Sequence, residues 1–421
     1  MKKLIIVIIT FVLLFSCKNL TEKAEPAIEK PELVFPVTIK VDEARYSNEI
    51  PLLSNLTDDI SYIKLKTPAN TFVQIINDVQ IFKNYIFIHE NQRVMVFDRA
   101  GNYLRTIGRI GRGPNEYIYL RSFCINKDNE DLLFYTGPRG DIFRFNTNGD
   151  FIEKLFSYRD ADYMYFLNDK LVFSGIMGTT KNMPENRTQI ASTDLTGQKI
   201  DSKLLPIYSI NNWEKKLLLF PGNFKSTKFD EVLLLYGYLE DTIFHVNGSG
   251  KIEPRYLLDF GKYGIPIETR YLGRKPDGLI NASIIPISPP SETANNVLFK
   301  FAFQKEGFLL RYDKTGQKAF TFFYKGDTEF DPGRGRNSLD ELGLVNDIDG
   351  GPDFFPEWSV YDDSTQLFIS AKRAFDLRKE LTPEYFKNRD IKFIEKKDNL
   401  IELVNNLEEK DDYVLMIAKL K

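Results

Sequence analysis

Histidine and cysteine are nearly absent from this chain. Its 421 residues include two His, two Cys and two Trp. His89 and His245 stand 156 positions apart, and neither shares a metal-ligand spacing with the other or with a cysteine. A Ser/His/Asp set would need one of them as its base, and no nucleophile elbow accompanies either. His245 falls inside a strand pattern, as a core or wall residue. His89-Glu90-Asn91 falls at a turn, where His89 would face a central channel. An excess of basic charge is also missing. The formal net charge is −3, and its charges are spread rather than blocked, which excludes an evident nucleic-acid surface.

One long apolar run exists, Leu4 to Phe15 behind Lys2 and Lys3. It is too short for a comfortable membrane span and reads as a signal peptide, residues 1–16. It ends in Leu14-Phe15-Ser16-Cys17, which resembles the lipobox of bacterial lipoproteins, where a small residue permits cleavage and the cysteine thiol takes a diacylglycerol. The alternative is an ordinary secretory signal followed by a chance cysteine. Lipidation of Cys17 would supply the several acyl chains that stable anchoring needs. It would leave Cys124 as the only free thiol, with no intramolecular disulfide. Residues 17–35 are polar and aperiodic, a flexible tether. Lys18 is not the aspartate associated with inner-membrane retention, so the expected location is the cell envelope, at the outer membrane.

What is abundant is strand material, with 34 Phe and 21 Tyr. Five times a hydrophobic strand enters a polar turn ending at glycine, namely Gly101, Gly149, Gly197, Gly250 and Gly316. The spacings are 48, 48, 53 and 66 residues, close to the period of a propeller blade. An Asp or Asn stands three positions before each glycine, suited to bonding the turn's backbone N–H groups. Between these turns lie short apolar runs, four per repeat, as in Val79–Phe82, Tyr85–Ile88, Val94–Phe97 and Tyr103–Ile107. A sixth unit without the glycine turn is implied by Trp358–Tyr361, Leu367–Ser370 and Tyr413–Ala418. The expectation is an all-β fold, one six-bladed β-propeller of four-stranded blades over residues 36–421. The early strands Val37–Val41 and Ile60–Leu65 are both available to close the ring against the C-terminal blade. Leu400, Leu403, Val404 and Leu407 fall at helical spacing, which predicts one C-terminal amphipathic helix.

Several strings resemble the six-bladed β-propeller lipoproteins of Gram-negative bacterial envelopes, a largely uncharacterised family. They are Leu104-Arg105-Thr106-Ile107-Gly108-Arg109-Ile110-Gly111-Arg112-Gly113-Pro114 with Asn115-Glu116-Tyr117, Asp241–Phe244 with Ile252–Tyr256 and Asp259–Gly261, Asn346–Pro356, and Val414–Lys421. Asn115 stands where that family often has glycine. The resemblance implies the fold and the lipidated front, and no reaction.

Gly108 to Gly113 does not fit a phosphate loop, since Pro114 follows and no Gly-Lys-Ser/Thr opens a helix. It reads as a blade-to-blade turn, with Arg109, Arg112 and Glu116 placed to form ion pairs across blades, and the basic Arg334-Gly335-Arg336 as a solvated face. The candidate ligand site is the loop from Asp347 to Trp358. It sets Asp347, Asp349, Asp353 and Glu357 beside Phe354, Phe355 and Trp358. Carboxylates with aromatic faces suit sugars, and acid-rich spacing is able to hold Ca²⁺, although it does not match an EF-hand. The competing account has the aromatics plugging the ring and the acids capping turns. The functional expectation is therefore a membrane-anchored binding or scaffolding module for a glycan, peptide or protein partner. The alternative is a carboxylate-based glycan hydrolase or lyase.

Overall fold

The computed structural model describes residues 33–421 apart from 48, 69–70, 160, 178–186, 207–224, 238–239, 267–282, 305, 325–341, 388 and 409–410. The signal segment, Cys17, nearly all of the tether, most of the Gly178 to Arg187 insertion and Arg334-Gly335-Arg336 lie outside the described residues.

Six sheets form the blades of a propeller. Blade one is Ile76–Phe82, Tyr85–Glu90, Arg93–Asp98 and Tyr103–Ile107, and blade two runs from Leu120–Asn126 to Phe151–Ser157. Blades three, four and five start at Tyr163–Leu167, Lys225–Phe229 and the split inner strand Ile285–Pro286 with Ser291–Glu292. Blade six is Trp358–Asp362, Thr365–Arg373 and Tyr413–Lys419, and its outer strand is Asp59–Lys64 from the other end of the chain. Asp59 pairs with Lys419 and Lys64 with Val414, so N- and C-terminal segments share one sheet and close the ring.

Apolar runs are continuous because each blade is packed on both sides. Ile86 and Ile88 of blade one meet Ile369 and Ile417 of blade six, while Phe87 between them meets Phe123 and Phe134 of blade two. A separate buried cluster fills each of the other blade-to-blade interfaces. Burying a Leu, Ile or Phe side chain is worth about 1.5–3 kcal/mol, so stability is distributed around the ring.

The repeated turns behave as their sequence implies, and they also clasp neighbouring blades. Asp98, Asn146, Asp194, Asn247 and Asp313 each accept a backbone N–H of their own turn on Oδ1, at 2.8–3.1 Å. Gly101 takes φ +79°, and a Cβ there would stand 2.1 Å from the Lys64 carbonyl oxygen. Its own carbonyl accepts the Lys66 N–H at 2.8 Å, which ties blade one to the closing strand of blade six. In the fifth turn the left-handed residue is Gln317, φ +47°, in place of the glycine before it.

The N-terminal strand Val37–Lys40 departs from expectation. It pairs parallel to Ile252–Asp259, the outer strand of blade four, and Arg45–Tyr46 pairs parallel to the outer strand of blade five. Blade six has room for a single outer strand, and Asp59–Lys64 takes it. Val37–Lys40 instead buries Ile39, followed by Val41, against the blade four–five core and covers a sheet edge. The predicted helix is present as Ile394–Asn405, here α2, and a shorter helix α1, Ala374–Glu380, precedes it. Both belong to the connection between the second and third strands of blade six.

Candidate functional site

The loop Asn346–Pro356 is a wedge between blades five and six, held from three sides. Leu53 donates its N–H to Val345, and Lys392 and Phe393, which lead into α2, donate theirs to Asp347 and Ile348 at 2.9 Å. Asp347 is buried and accepts the Ser54 N–H at 3.0 Å and its hydroxyl at 2.6 Å, with Lys392 Nζ at 3.1 Å. Burial opposes its ionisation, but Ser54 and Lys392 outweigh that and hold its carboxyl below the ordinary value. Asp349 is fully buried, and its Oδ1 accepts Tyr62 OH at 3.1 Å, Asn346 Nδ2 at 2.7 Å and the Gly351 N–H at 2.8 Å. Its Oδ2 has no partner, and desolvation pushes its pKa up. Asp353 meets Arg389 at 3.2 Å, and burial raises its pKa as well.

Phe354 and Phe355 are buried in the blade five–six core, with Lys300 Nζ 4.3 Å from the Phe355 ring centre. Trp358 begins the inner strand of blade six and is half-buried against the blade six–one core. Glu357 turns its carboxylate onto Ser370 and the Ala371 N–H. A ligand approaching from outside would therefore touch Asp353 and Trp358 but not Asp347, Asp349, Phe354 or Phe355. The three aspartates do not converge, and among the described residues no group of three or more His, Cys, Asp or Glu is placed to hold a metal ion.

The titratable groups near the axis are equally inward. His89 lies in a strand rather than at a channel mouth, buried edge-on to Phe123 with ring centres 6.1 Å apart. Burial lowers its pKa to about 4, so it is neutral at physiological pH. His245 is buried beside Phe35, and burial lowers its pKa too. Cys124 is buried, which pushes its thiol far from the thiolate. Asp78, on the inner strand of blade one, has its pKa raised to about 6 by desolvation, against hydrogen bonds from Gln80 and the Val79 N–H.

The feature that spacing did not reveal is an asymmetry between the two faces of the ring. One face carries only hairpin turns among the described residues, such as Lys83-Asn84 and Asp363-Ser364. The other carries, beside short hairpins such as Asn91-Gln92, the long connections between blades, among them 108–119 and the described part of 65–75, together with the start of α1. Exposed apolar side chains gather on this second face around blade one: Phe72 (51% exposed), Ile110 (55%), Ile118 (49%) and Phe375 (71%), with Ile75 beside Phe72. Hydrogen bonds join these segments. Arg93 donates to the Phe72 carbonyl at 3.1 Å, Arg373 to the Gln74 carbonyl at 3.1 Å, and Tyr117 OH to the Gln92 carbonyl at 3.2 Å.

The 108–119 loop is internally braced. Gly111 N–H bonds to the Tyr117 carbonyl at 2.9 Å and Tyr117 N–H to that of Arg109 at 3.0 Å. Gly108 at φ +76° lets the buried Tyr117 ring close over it, and Asn115 takes φ +64°. Glu116 folds back to accept the Gly113 N–H at 2.8 Å. Among the described residues, the cross-blade ion pairs expected of Arg109, Arg112 and Glu116 are absent. Glu116 is taken up by its own loop, and both arginines are exposed.

Among solved structures, a putative exported protein from Bacteroides fragilis NCTC 9343 is similar over 91% of this chain and 99% of its own, with 18% identity and a TM-score of 0.61. A member of the duf4221 family from Bacteroides vulgatus matches 87% of this chain and 97% of its own, at 12% identity and a TM-score of 0.45. The first likeness shows the shared fold. No curated protein matches the sequence. With the ring, its closing strand and the braced 108–119 loop established, the match over residues 36–419 is decisive: the chain belongs to the family described as domain of unknown function DUF4934.

Proposed function

We propose that this protein is an exported, lipid-anchored module of the cell envelope that holds a protein partner on the face bearing its inter-blade connections. The observation that carries the reading is the gathering of exposed apolar side chains on that face around blade one. Isolated surface apolar residues are ordinary, whereas several of them on neighbouring long connections mark an interaction surface. A protein partner is favoured over a glycan because the Phe354 and Phe355 rings, which would have stacked on sugars, lie in the core.

Two measurements test the two halves of this reading. Cys17→Ala should abolish lipid labelling and release the protein from membranes; unchanged fractionation sinks the anchor. A photo-crosslinking residue at Ile118 should yield a specific adduct in envelopes of producing cells, and one at Thr147, in a hairpin turn of the opposite face, should not. Adducts from Thr147 alone would move the site to the other face.

A further inference from the structure

Resting on that reading, we infer that the partner presents an acidic segment carrying apolar side chains, and that the loop Gly108–Tyr119 with Phe72 and Ile75 receives it. The argument starts from charge. Arg109 and Arg112 stand exposed on either side of Ile110, and neither makes an ion pair among the described residues. The carboxylate next to them in sequence, Glu116, is turned onto the Gly113 N–H. Arg93, by contrast, is neutralised by Glu90 at 2.7 Å. Arg373 adds another exposed guanidinium, anchored to the Gln74 carbonyl. The surface thus offers guanidiniums interleaved with isoleucines, complementary to carboxylates interleaved with apolar groups.

Chemistry separates this occupant from other polyanions. Of the four apolar side chains here, Ile75, Ile110 and Ile118 are aliphatic and only Phe72 offers a ring, which suits the apolar side chains of a peptide better than the stacked faces of an anionic glycan. The brace across Gly111, Tyr117 and Arg109 fixes the loop before any partner arrives, so little ordering is lost on binding.

The test titrates the full mature chain with four probes: a short peptide of alternating Asp and Leu, the same peptide with Asn for Asp, heparin, and vesicles containing anionic phosphatidylglycerol. The Asp–Leu peptide should bind best, and added salt should weaken it. Arg109→Ala with Arg112→Ala, and separately Ile110→Ser with Ile118→Ser, should each weaken it roughly tenfold. Exposed positions make these variants foldable, and an unchanged thermal midpoint confirms it. Lys127→Ala with Lys228→Ala, near the opposite face, should leave binding unchanged. Equal binding of the Asn peptide, or a preference for heparin or vesicles, overturns the acidic partner while leaving the face itself standing if the isoleucine pair still matters. Loss of binding from the lysine pair and not from the loop variants overturns the face as well.

Discussion

Replacing Glu292 with glutamine should destabilise the protein by about 3–5 kcal/mol, the usual consequence of removing one partner from a buried ion pair. Glu292 is nearly inaccessible and joins blades four and five. Arg255 meets it through two bonds, Nε to Oε2 at 2.8 Å and Nη2 to Oε1 at 2.7 Å. Tyr256 OH donates to the same carboxylate at 2.8 Å, and Lys314 Nζ contacts it while also donating to the Thr293 carbonyl at 2.6 Å. Two aromatic rings shield the cations, with Phe35 4.1 Å from the Arg255 guanidinium and Phe229 4.3 Å from Lys314 Nζ. Without the carboxylate, the buried Arg255 guanidinium would lose both of its bonds to Glu292 and the charge that offsets its burial. Urea denaturation of Glu292→Gln beside Glu130→Gln measures this. Glu130 pairs with Lys83 at half-exposed positions, so its loss should cost less than about 1 kcal/mol. Equal losses would show that the buried cluster adds nothing.

The same cluster sets an acid limit. Burial opposes ionisation of Glu292, but Arg255 and Lys314 outweigh it and hold the pKa below its ordinary 4.5. A carboxylate depressed by folding contributes in full above its unfolded value and loses that contribution as pH falls through the folded one. Wild type should therefore lose stability below about pH 4 more steeply than Glu292→Gln.

Phe354→Ala should cost about 3–5 kcal/mol, the range for emptying a fully packed phenylalanine site. Phe354 has no exposed surface and packs with Leu344, Ile348 and Phe368 in the blade five–six wedge. A residue acting only as a ligand contact would behave oppositely, with an unchanged unfolding curve and weakened binding. Thermal and urea unfolding of this variant without any ligand decides between the two roles. An unaltered midpoint would return Phe354 to the list of ligand contacts.

The hairpins were legible because their signal is local. Asp98 and Gly101 are three positions apart, and the bonds that explain them close within the same turn. The destination of Val37–Lys40 was not legible, since a strand that pairs parallel to a blade's edge leaves the same alternation as one that closes the ring. The loop from Asp347 shows a different limit. Its composition suits a sugar site and a wedge equally well, and only the positions of Ser54, Tyr62 and Lys392, all distant in sequence, turn its carboxylates inward. The exposed surface around Ile110 was illegible for a related reason. The glycines and arginines of this stretch suit phosphate and ion-pair chemistry equally well, and only the folded loop shows Glu116 satisfying its own Gly113 N–H and leaving the arginines outside.

The pairing of Asp59–Lys64 with Tyr413–Lys419 also governs the order in which this protein acquires its shape. Synthesis delivers Asp59–Lys64 long before Tyr413–Lys419, so the circle stays open until the later strand has been made. This pairing also provides a check on completeness. A chain cut short at its C-terminus retains an orphaned N-terminal strand and a ring with two bare edges, the kind of surface that chaperones and proteases recognise.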